Sequence, residues 1–188
     1  MRHRILPALL AGGLLVTGST AALAGPEDGD GGGTTLTLYA VEASFTYITA
    51  TGEVLSDDEA ESEQTLPSAG DRFVFVDELY ADEARTERVG RNDGECTFTA
   101  FTGETEEEFQ ASLVCHGVVT VDDTGSLAWQ GALQFSAAEV DPEQPFATVA
   151  VTGGTGGLVG ADGQVRIFDT TAEGDEQSTT RYEVELLG

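Results

Sequence analysis

The chain has 188 residues, of which 34 are acidic and eight are arginine, with no lysine, for a formal charge of −26. A surface of that sign repels nucleic acid phosphates and anionic headgroups, so neither nucleic acid nor a membrane is an expected partner. The length suits one domain with a real hydrophobic core.

Residues 1–24 read as a secretory signal peptide. Arg2 and Arg4 form a basic n-region, Ile5 to Val16 is mostly apolar, and Ala22-Leu23-Ala24 is an A-x-A cleavage site. The apolar run is too short to span a bilayer well. Neither a cysteine near the cleavage point nor adjacent arginines are present, so neither a lipid anchor nor a twin-arginine route is indicated. Removing 24 of the 188 residues leaves 164, starting at Gly25, and losing two arginines takes the charge from −26 to −28. A secreted, extracellular protein is expected. Residues 25–33 read as a flexible acidic, glycine-rich leader and 34–188 as a single domain. The acidic exterior suits a solvating shell or adaptation to high salt. Ser56-Asp-Asp-Glu-Ala-Glu-Ser62 and Glu104-Thr-Glu-Glu-Glu108 lack the spacing of a calcium loop. They read as solvated loop tips, and no metal or cofactor is expected.

Beyond the leader no helix-period segment of useful length appears, whereas strand patterns recur. Leu36 to Thr49 is rich in β-branched and aromatic residues, with a bend expected near Ala43. Arg72 to Leu79 follows, then Cys96 to Thr102, Phe109 to Val121, Ser126 to Phe135, Ala147 to Thr152, Gln164 to Asp169 and Ser178 to Leu187. About eight strands with regular turn signals predict an all-β closed barrel or a sandwich.

Period-2 alternation assigns faces. Leu127, Trp129 and Leu133 share one face, with Ala128, Gln130 and Gln134 on the other. Phe73, Phe75 and Asp77 share a face, but Val74 and Val76 make the opposite face apolar too. A strand apolar on both sides is covered on both sides, and a neighbouring subunit would supply the outer cover of a single-layer barrel. The inward set Phe73, Phe75, Leu127, Trp129 and Leu133 is the expected ligand pocket. An eight-stranded barrel holds side chains or one small ligand.

Cys96 and Cys115 flank the polar turn Gly103-Glu-Thr-Glu106. Folding the hairpin about the midpoint of Thr105 and Glu106 sets the two cysteines opposite one another, close enough to bond. A lone pair in an exported chain reads as a disulfide. Free thiols would need a base, and His116, the only histidine after residue 24, reads as a strand residue.

The glycine-rich run from Thr148 to Phe168 resembles a nucleotide-binding loop at first sight. A P-loop needs a lysine, and the dinucleotide fingerprint needs its third glycine at 159, where Val159 stands. Gln164-Val-Arg-Ile-Phe168 then reads as a strand instead of a helix. The run is therefore a turn between antiparallel strands, with glycines allowing positive φ and close backbone approach.

Four segments, in order, carry a family resemblance. Gly70-Asp-Arg-Phe-Val-Phe-Val-Asp-Glu-Leu-Tyr80 resembles the G-D-x-x-x-F-x-[ND]-x-L-[YF] strand of plant allene oxide cyclases and dirigent proteins. Val89-Gly-Arg-Asn-Asp-Gly-Glu-Cys96 is similar to the cyclases' V-G-x-x-x-G-x-C, and Leu127-Ala-Trp-Gln-Gly131 to their L-S-V-Q-G. Ala150 to Val165 resembles the shared [IV]-x-G-G-[TS]-G-x-F-x-G-A-x-G segment. The resemblance covers roughly Leu36 to Leu187. It implies an eight-stranded antiparallel calycin-like barrel, usually a homotrimer, with an apolar cavity for a small hydrophobic or phenolic ligand. Such proteins close a strained epoxide or steer phenolic intermediates, largely by holding a reactive molecule in one conformation. Phe75 falls on a pocket aromatic and Asp77 on the pocket asparagine of the cyclases, or the aspartate of the dirigent F-x-D. Cys96 matches the cyclase pocket cysteine. The first-strand catalytic glutamate falls at Ala40, an asparagine near it at Glu42, and a later pocket tyrosine at Leu133.

Three functions follow as expectations. The first is a secreted barrel that binds a small apolar or aromatic molecule in its lumen. The second is an isomerase or cyclase with Asp77 as the polar actor, assisted by Glu42 or Tyr39. The third is a non-catalytic extracellular module working through its acidic exterior.

Overall fold

A computed structural model describes residues 33–55, 67–102, 110–136, 143–171 and 177–187. The segments read above as signal peptide, leader (all but Gly33), acidic loop tips and the turn 103–106 lie outside the described residues.

The elements are β1 (Thr34–Ile48), β2 (Val54–Leu55), β3 (Arg72–Tyr80), β4 (Arg88–Thr102), β5 (Gln110–Val121), β6 (Gly125–Ser136), β7 (Ala147–Gly154), a single 3₁₀ turn (Gly156–Leu158), β8 (Gly163–Asp169) and β9 (Thr179–Leu186). Every strand from β3 to β9 pairs antiparallel with the next, and β1 pairs with both β3 and β9. That last ladder, from Thr34↔Leu186 to Val41↔Thr179, closes eight strands into a barrel without a free edge. The two-residue β2 pairs only with the end of β1.

β1 meets β9 over residues 34–41 and β3 over residues 39–48, and it bends within the second ladder. Its register with β3 shifts between Glu42 and Ser44, at the expected bend beside Ala43. The extra residue increases local twist, as a bulge does.

β4 is the main departure from the sequence reading: it begins at Arg88, not at Cys96. Arg88-Val-Gly-Arg-Asn-Asp-Gly-Glu95 is polar and carries two glycines, so it lacks the usual strand signature. Close approach explains the glycines. A Cβ on Gly90 would strike the Thr120 carbonyl of β5, and one on Gly94 would strike the Phe75 ring of β3. The turn after β7 places Gly156 at φ 61° and Gly160 at φ 79°, in the left-handed region that glycine adopts without strain. The chain leaves this turn directly into β8, as an antiparallel strand.

Alternation puts one side of every strand inward. Leu38, Leu79, Leu127, Val184, Cys115 and Asn92 are the largest fully buried side chains. Cys96 and Cys115 are directly opposed on β4 and β5, with Cα atoms 4.1 Å apart, and are bonded to one another. Phe45, Phe73, Phe98 and Phe101 pack in a chain of ring contacts with centroids 5.3–5.9 Å apart, at one end of the barrel. Among the described residues, no helix is long and apolar enough to cross a membrane.

Candidate functional site

A barrel interior of aliphatic and aromatic groups leaves a buried polar side chain conspicuous. Four such groups meet here. Asp77 on β3 and Asn92 on β4 are directly opposed in the ladder, so both face inward. Trp129 reaches them from β6 and Tyr182 from β9. All four are buried, Asn92 completely.

The indole Nε1 of Trp129 donates to Asn92 Oδ1 at 3.0 Å. Asn92 Nδ2 donates to Asp77 Oδ2 at 3.0 Å and to the Tyr182 hydroxyl at 3.2 Å. That hydroxyl donates to the same Asp77 Oδ2 at 2.9 Å.

Missing Cβ atoms make this reach feasible. β5 separates β6 from β4, and the Trp129 ring crosses it over Gly117. A Cβ there would lie 2.5 Å from Trp129 Cζ2 and 2.6 Å from the Asp93 carbonyl oxygen. On the adjacent wall the Phe75 ring lies against Gly94.

Burial pushes the Asp77 carboxyl above its ordinary value. The hydrogen bonds from Asn92 and Tyr182 favour its charged form and offset part of that rise, while nearby Asp93 adds to it. Tyr182 is raised well above the usual phenol range by burial and by the Asp77 charge, so it stays a neutral donor. The arrangement is thus a buried carboxyl in apolar surroundings, held by two donors, with its pKa moved in the direction that favours the protonated acid.

The other predicted residues fall in three places. Phe73 and Phe75 precede Asp77 on the same inward face of β3 and pack against the core, as does Leu133 on β6. Phe45, Phe73 and Phe75 form a run of rings, with centroids 5.3 and 6.0 Å apart, leading from the aromatic end toward Asp77. At about 3.3 Å per residue the strand carries Phe73 roughly 13 Å from Asp77. Glu42 sits directly opposite Asp77 at the β1 bulge and shares its face. Tyr39, by contrast, lies on the outer face of β1 between the buried Leu38 and Ala40, and lines a shallow external cleft with Glu83, Arg85, Thr180 and Arg181. The barrel wall therefore separates Tyr39 from Asp77. Trp129, expected as apolar wall, is also the first donor of the polar network. Asn92 and Tyr182 were not singled out from sequence. Asn92 sits in the polar half of β4, and Tyr182 meets Asp77 only through the closure of β9 onto β1.

No protein-family model matches the chain, and no curated protein matches its sequence. Solved structures do. The pterocarpan synthase dirigent protein GePTS1 superposes with a TM-score of 0.56 at 16% identity, over 86% of this chain and 88% of that one. The chain folds as a dirigent-like barrel. Pyocyanin demethylase aligns with this dirigent-like barrel at a TM-score of 0.54 and 22% identity, over 81% of this chain and 99% of that one. AbnU, an exo-specific intermolecular Diels-Alderase, aligns at 0.50 and 16%, over 82% and 99%. These likenesses show the fold, and the polar network belongs to this chain's own residues.

Proposed function

We propose that this dirigent-like barrel is an exported protein that binds a small apolar or aromatic molecule in its lumen, with Asp77 as the polar contact. The observation that carries the reading is a buried carboxyl raised by desolvation, with the Phe73 and Phe75 rings in contact before it on the same wall. Aromatic walls with few polar groups fix a ligand's orientation, and one hydrogen bond then sets its direction. The Cys96–Cys115 disulfide supports export to an oxidising compartment.

The same carboxyl favours a second reading, an isomerase or cyclase. Neutral Asp77 would donate its proton to an acceptor atom of the bound molecule. The resulting carboxylate would be held by Asn92 and Tyr182, and would recover a proton from the rearranged molecule as ring closure completes. No net proton is consumed, and confinement of the reacting ends supplies the remainder of the effect. The first-strand glutamate of the cyclases is replaced by Ala40, so the acid of this chain would be Asp77.

The test is quenching of Trp129, the only tryptophan of the chain, by a panel of fatty acids, terpenoids and phenolics. Saturable quenching by members of one class is expected. Absence of binding across the whole panel would overturn the lumen reading.

A further inference from the structure

We infer that Trp129 and Asn92 are positioning residues that set the polarity of the Asp77 carboxyl, so that the barrel offers an entering molecule a proton donor and not an acceptor. The inference rests on the lumen reading above but concerns the ligand-free barrel.

An indole N–H donates and cannot accept. Trp129 Nε1, 3.0 Å from the Asn92 amide, therefore requires the carbonyl oxygen of that amide to face β6. The NH₂ end must then face the opposite way, toward Asp77 and Tyr182. An NH₂ group only donates, so the Tyr182 oxygen accepts one hydrogen from it and keeps its own proton for Asp77. Both donors converge on one atom, Asp77 Oδ2. That oxygen is committed as an acceptor, so the proton of the neutral carboxyl resides on Oδ1. Neither donor engages Oδ1.

Inverting the amide would invert the outcome. With the carbonyl of Asn92 toward Asp77, the carboxyl proton would be drawn to Oδ2 and the outward oxygen could only accept. The Trp129 N–H is the group that forbids this inversion. The lumen thus selects molecules that present an acceptor, such as a carbonyl, ether or imine, at the end nearest Asp77.

The groups that face Asp77 or bear on its charge are Glu42 from β1, Tyr182 from β9, and Asn92 with the nearby Asp93 from β4. Trp129 is their reporter, being the only tryptophan. The experiment is a pH titration of Trp129 fluorescence in the ligand-free protein. The wild type is expected to show a transition that Asp77→Asn abolishes. Asn92→Ser and Tyr182→Phe each remove a donor to the carboxylate and should move its midpoint upward by roughly one pH unit. Tyr182→Phe retains the ring and reads the same network if the Asn92 variant folds poorly. A second measurement, the infrared band of the protonated carboxyl, obtained as wild type minus Asp77→Asn, should shift in Trp129→Phe. A transition indifferent to Asp77→Asn, midpoints unmoved by both donor variants, or a carboxyl band unchanged in Trp129→Phe would overturn the inference. No ligand enters these measurements, so failure of the binding screen leaves them standing, and their failure leaves binding untouched.

Discussion

Asp77 imposes a cost on folding that its substitution should reveal. Burial raises its folded pKa above the unfolded value, so the folded chain holds the proton more tightly. The stabilising contribution of the neutral acid is complete below its ordinary value of 3.8 and is lost as pH rises through the raised folded value. Asp77→Asn removes this loss and can still accept both hydrogen bonds. Thermal melts at a series of pH values should show the variant more stable than wild type at neutral pH, with the gap closing toward pH 3.8. A variant less stable than wild type at neutral pH would contradict this account of the site. Asn92→Leu should act oppositely, costing roughly 1–3 kcal/mol by leaving the Trp129 N–H unpaired. Asp77 was legible in sequence because alternation along β3 sets it behind Phe73 and Phe75. Asn92 was not, because inward asparagine in a polar, glycine-bearing segment resembles a loop until its neighbours are known.

At the scale of elements, β4 and β5 form the wall on which the site depends. Their disulfide closes a sequence separation of 19 residues. Its removal by Cys96→Ser with Cys115→Ser should cost about 3 kcal/mol, the chain-entropy value for a loop of this size, measured by denaturant unfolding. Gly117 has a subtler function, since a methyl there meets both the Trp129 ring and the Asp93 carbonyl. Gly117→Ala should destabilise by roughly 1–3 kcal/mol and shift Trp129 emission as the indole moves off Asn92. Emission unchanged from wild type would mean that the ring does not need the space. The cysteine pairing was legible from the spacing of the hairpin, whereas the register shift between Phe98 and Ala100, on the turn side of the disulfide, was not. The start of β4 was not, because close packing against Phe75 and the β5 backbone, instead of strand propensity, makes that segment a strand.

The whole molecule combines a charge of −26 with a barrel that exposes several valines on its outer wall among the described residues. Val114 and Val118 are 52% and 40% exposed on β5 and lie opposite Ala132 and Ala128 of β6. The ion pairs of Arg72, Arg88 and Arg91 are on the surface and contribute little singly. Mutual repulsion of the carboxylates should dominate instead, so the melting temperature should rise between low salt and 1 M NaCl as the screening length falls to about 3 Å. The number of strands was legible from alternation, which left barrel and sandwich open; the closed barrel was what the family resemblance implied. The contact between Tyr182 and Asp77 was not, because it depends on the register of the closing ladder. The central claim is that recognition occurs along the Phe75–Asp77 wall inside the barrel. Its most direct test is the affinity of the strongest Trp129 quencher for Phe75→Leu and for Tyr39→Phe. Weakening of about tenfold in the former with no change in the latter is predicted. Unchanged affinity in Phe75→Leu with loss in Tyr39→Phe would place recognition in the external cleft and contradict the claim.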